Sequence, residues 1–196
     1  VRSVATELEA HAVRCGYLHH KPFVAFADNP AVSPQQLWAR IGENESAKAA
    51  LKGGTTSIFV MAWDESCGEA DDFRDWIELA LACNPGITVC IVAPWPRHRG
   101  MTYTEARGVQ NEINARLQAT VAELRANYPQ LDILCIPQGD GMLELWRLYE
   151  EGRLPGVDGV YKTSPDDAGQ CLYAGNEQGG PLALELAGLL WLAAVY

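Results

Sequence analysis

Apolar residues along this chain follow two rhythms, one of helical period and one of short unbroken runs. Val4, Leu8, Ala12 and Cys15 recur at helical spacing, and Gly16 follows where a left-handed residue would stop the helix. Phe23 to Ala27 is a short apolar run that predicts a buried strand. Ser33-Pro34 reads as an N-cap with proline at the first helical position, opening a short helix that carries Leu37, Trp38 and Ile41. A further helix over Ser46 to Leu51 ends at Gly53-Gly54. Ser57 to Trp63 is the clearest buried strand, with Ile58, Phe59, Val60 and Met61 consecutive. A helix with Phe73, Trp76, Ile77, Ala80 and Leu81 inward then stops at Asn84-Pro85-Gly86. Thr88 to Ala93 is a second apolar, β-branched strand. The longest helix runs from Thr104 to Tyr128, with Ala106, Val109, Ile113, Leu117, Val121 and Leu124 on one stripe. Strand Leu131 to Ile136, helix Gly141 to Glu150, a turn at Pro155-Gly156, a loop around Asp167 and an apolar helix from Pro181 complete the order.

Continuously apolar strands alternating with helices imply a parallel sheet covered on both faces, hence an α/β fold built as a three-layer α/β/α sandwich. At 196 residues, 48% of them hydrophobic, a single domain over residues 1–196 is the expectation. The chain starts at Val1 with neither Met nor a leader, and its first element is the helix from Val4 where such folds open on a strand. The expectation is therefore a first strand lying upstream or supplied by another molecule, with a homo-oligomer or a retained upstream peptide closing the sheet edge. The net charge of −10 disfavours nucleic acid and anionic membrane surfaces as partners. The apolar run Pro181 to Tyr196 is short for a membrane span and carries Glu185.

In parallel sheets of this kind, ligands bind beyond the carboxyl ends of the strands. Those ends are Asp28-Asn29-Pro30, Trp63 to Gly68, Pro94 to Gly100, Pro137 to Asp140 and the Asp167 loop. Asn29, Trp63, Asp64, Trp95 and His98 are the candidate ligand contacts there. His19 and His20 precede a strand and fall at the opposite end, while His11 belongs to the first helix. Six cysteines show no metal-ligand spacing, and Cys90 and Cys135 sit in apolar strands as small buried hydrophobes. The cysteine count leaves the compartment open; on export, whether secreted or periplasmic, Cys67 and Cys171 are the pair expected to oxidise. Cys67 and His98, on neighbouring rim loops, would also serve as nucleophile and base if their atoms met, against the plainer reading of a loop thiol and a solvated imidazole. The acidic run Asp64, Glu65, Glu69, Asp71 and Asp72 reads as a helix start set against the macrodipole rather than a metal site, and no cofactor is expected.

The segment Ser-Pro-Asp-Asp-Ala-Gly-Gln-Cys-Leu-Tyr-Ala-Gly from Ser164 to Gly175, set before a C-terminal helix, resembles the last catalytic segment of the SGNH (GDSL-type) hydrolases. Ala82-Cys83-Asn84-Pro85 before a strand, followed by Ala93-Pro94-Trp95, is similar to a bacterial branch of that family. The resemblance implies an SGNH-hydrolase or flavodoxin-like sandwich, a nucleophilic serine at the first strand-to-helix turn, and an oxyanion hole completed by a glycine and an asparagine. It also implies an Asp-x-x-His pair, matched here by Asp167 and Gln170. Ser3 is the one serine near the nucleophile position, where it would equally cap the first helix. Asn29 falls near the oxyanion-hole glycine, and Ala62-Trp63-Asp64-Glu65 stands where the family has Gly-x-Asn-Asp. A glutamine amide donates and accepts hydrogen bonds but takes up no proton near neutral pH.

Three functions follow as expectations. The first is an SGNH-like domain with incomplete machinery, retained for binding or assembly, with a small ester or carbohydrate as ligand. The second is an active esterase on a small acyl ester or acylated carbohydrate, its nucleophile at or upstream of the chain start. The third is a self-assembling structural subunit.

Overall fold

The computed structural model describes residues 4–16, 33–40, 42, 44–64, 69–96, 100–162, 169–174 and 178–196. The fold is mixed α/β and divides into two compact units, one of Phe23–Ala93 with Ile113–Ile136, the other of Val1–Pro22, Pro94–Glu112 and Pro137–Tyr196.

The first unit is built on the three unbroken apolar runs. They form β1 (Ile58–Ala62), β2 (Thr88–Val92) and β3 (Asp132–Ile136), parallel and in that spatial order, with Val60 opposite Cys90 and Cys90 opposite Leu134. Val89, Cys90, Ile91 and Val92 are all buried, as expected for a central strand covered on both faces. Around it stand α2 (Pro34–Ala39), α3 (Glu45–Lys52), α4 (Arg74–Cys83) and the later part of α5 (Tyr103–Asn127). The predicted start of α2 is a full capping box: the Gln36 amide N–H donates to Ser33 Oγ at 3.1 Å, and the Ser33 N–H to Gln36 Oε1 at 3.4 Å. α4 is preceded by a 3₁₀ turn over Ala70–Phe73 and buries Trp76, Ile77 and Ala80. Phe23 to Ala27 lies outside the described residues.

Cys90 is fully buried in β2. Burial, reinforced by the nearby Asp132 carboxylate, pushes its thiol up to about 11. Because the fold favours the neutral thiol, this contribution to stability is present below the ordinary thiol range and is lost as pH rises towards about 11. Alkylation at pH 8 is therefore expected to label the exposed Cys15 in the native protein and to spare Cys90, with both labelled in denaturant. Native labelling of Cys90 at the rate of Cys15, read by peptide mass mapping, would contradict this packing.

The second unit holds α1 (Val4–Arg14), the first turns of α5, α6 (Gln138–Glu150), α7 (Pro181–Val195) and a second small sheet. Here β4 (Gly159–Tyr161) runs parallel to β5 (Cys171–Ala174), which pairs antiparallel with β6 (Gln178–Gly179). The sequence pattern predicts only a turn and a loop in this stretch. The strands are two to four residues long, too short for a period to show, and aromatic stacking holds them: Tyr161 and Tyr173 lie 4.7 Å apart with nearly parallel rings. The turn at Pro155-Gly156 is present, with Gly156 at φ +82°.

Two helix faces differ from expectation. On α1, Leu8 and Ala12 are buried as predicted, but Cys15 is exposed and Glu7 and His11 are buried with them. The reason is the packing of α1 on α7, where Gly188 allows such close approach that an added Cβ would lie 2.7 Å from Glu7 Cβ. On α5, Gln110 rather than Val109 takes the fully buried position between Ala106 and Ile113. Among the described residues no helix is long and apolar enough to cross a membrane.

Candidate functional site

Gln170, the residue expected at a general-base position, precedes β5 and is exposed. Its backbone is fixed from both sides: the Asp158 N–H donates to the Gln170 carbonyl at 2.8 Å, and the Gln170 N–H donates to Asp158 Oδ2 at 2.8 Å. These two bonds start the pairing that Gly159 and Cys171 continue, so the residue sits at the amino end of the β4–β5 pair. Strands β5 and β6 then stand between it and α7 along the chain. Asp167, Ser3, Asn29 and His98 lie outside the described residues. The one histidine within them is His11, whose Nδ1 lies 2.9 Å from the Arg14 guanidinium. Cys171 is buried in β5 opposite Gly159 of β4, rather than on an open rim loop, and its expected disulfide partner Cys67 lies outside the described residues.

Trp63 continues the ladder past β1, its N–H donating to the Val92 carbonyl at 3.1 Å, and its ring is buried in the core. Its indole N–H has no hydrogen-bond partner among the described residues, and the Arg116 guanidinium stands 5.3 Å over the ring. Asp64, next along the chain, is half-buried. Trp95 is also half-buried, packed beside Gly179 of β6, where an added Cβ would lie 3.1 Å from its ring. The following Pro96 carbonyl accepts from the Tyr173 hydroxyl at 2.6 Å, which ties this proline-flanked turn to β5.

Of the acidic run, Glu69, Asp71 and Asp72 stand at the 3₁₀ turn that precedes α4, whereas Asp64 follows β1 and Glu65 lies outside the described residues. The Glu69 N–H donates to Asp72 Oδ2 at 3.3 Å, and Asp71 pairs with Arg74 at 3.0 Å. Among the described residues no group of three or more His, Cys, Asp or Glu is placed to hold a metal.

The second unit gathers polar side chains that sequence reading alone does not single out. Pro137 to Asp140, expected as a loop, instead caps and opens α6. Gln138 is buried there and its Oε1 accepts from the Trp191 indole N–H at 2.9 Å. Gly139 lies so close to the fully buried Gln110 and to the Pro94 carbonyl that an added Cβ would fall on both. At the half-exposed margin, Arg107 donates to the Tyr103 hydroxyl at 2.9 Å and stands 4.0 Å from Asp140. The one sequence signal for this cluster is Gln110, a polar residue amid an apolar stripe. No family model, curated protein or solved structure matches the chain.

Proposed function

We propose that this chain is an SGNH-hydrolase-like domain, a three-layer α/β/α sandwich, whose catalytic machinery is incomplete and whose role is to bind rather than to cleave. The carrying observation is Gln170: the position that should hold the general base bears an exposed amide whose backbone is committed to pairing with Asp158. An amide accepts no proton from a serine hydroxyl near neutral pH, so the acyl-transfer cycle lacks its first proton transfer. The parallel sheet β1-β2-β3 flanked by helices supports the fold assignment. The ligand class that suits the reading is a small ester or an acylated carbohydrate, met through hydrogen-bonding side chains without turnover.

The test is hydrolysis of short-chain nitrophenyl esters. The purified chain is expected to turn them over no faster than its heat-denatured control, and Gln170→His alone is expected to leave that rate unchanged. Hydrolysis above the control that disappears on Ser3→Ala would overturn the proposal in favour of an active esterase. In parallel, acylated sugars are expected to raise the melting temperature, since a ligand bound only by the native state stabilises it in proportion to RT ln(1 + [L]/Kd).

A further inference from the structure

No further inference is drawn: the strongest candidate, the apolar surface of the α1–α7 helix pair on which Val13, Leu189 and Tyr196 lie exposed, carries nothing because nothing in the structure shows what covers it.

Discussion

Replacing Trp76 by alanine is expected to lower the unfolding free energy by about 3–5 kcal/mol, the largest loss foreseen for any single side chain in the first unit. The ring is 2% exposed and joins three elements. From α4 its indole N–H donates to the Pro34 carbonyl at the start of α2 at 2.7 Å. It meets Trp38 of α2 edge to face at 5.0 Å, and the Phe59 ring of β1 lies tilted to it at 6.0 Å. Alanine removes the apolar contacts, leaves a cavity under α2, and takes one of its donors from the Pro34 carbonyl. Trp76→Phe separates these contributions, because it keeps most of the ring and loses the hydrogen bond; about 1–3 kcal/mol is expected for it. An exposed control on α5, Glu123→Ala, should stay within about 0.5 kcal/mol of the parent. Equilibrium urea unfolding followed by circular dichroism reads all three. A loss below about 1 kcal/mol for Trp76→Ala would mean that α2 does not pack on α4 as described.

The contrast between the two units shows which information a sequence carries openly. Strands β1, β2 and β3 are legible because each is a run of five largely apolar residues bounded by turn residues, although only β2 is buried along most of its length. The capping box at Ser33 and the left-handed stop at Gly16 are equally legible, since both depend on residue types within one helical turn. Strands β4, β5 and β6 are not, because their pairing depends on which aromatic rings meet after the chain has folded. The buried face of α1 is hidden for a related reason. Glu7 and His11 carry polar atoms but go inside because Gly188 lets α7 approach them, and no local pattern announces a glycine more than a hundred residues away. The candidate site divides in the same way. Gln170 stands out from sequence through a resemblance that reads it three residues after Asp167, whereas Gln110, Gln138 and Gly139 become a cluster only when α5 and α6 are brought together.

Gly180→Ala should destabilise the second unit by about 3 kcal/mol or more, at or beyond the upper end for a single overpacked methyl. The backbone there is ordinary, with φ −69° and ψ 176°, so an alanine would adopt it without torsional strain. The obstacle is space. Gly180 caps the start of α7 and donates its N–H to the Leu172 carbonyl of β5 at 2.6 Å, which draws the two backbones into contact. A Cβ at this position would fall on the Cys171 carbonyl oxygen and lie 3.0 Å from the Leu172 oxygen. Those atoms are backbone, and β5 is held by β4 on one side and β6 on the other, so no rotamer change relieves the clash. Relief requires α7 to swing away from β5, which breaks the Gly180 hydrogen bond and uncovers Leu172 and Ala183, both fully buried. Gly156→Ala supplies the control of opposite kind: its φ of +82° is unfavourable for alanine, yet nothing lies within 4 Å of the new methyl. That substitution is expected to cost only about 1–2 kcal/mol, the ordinary penalty of the left-handed region. Thermal unfolding should therefore rank the parent above Gly156→Ala, and Gly156→Ala above Gly180→Ala. A melting temperature for Gly180→Ala equal to that of the parent would show that α7 does not meet β5 through this glycine.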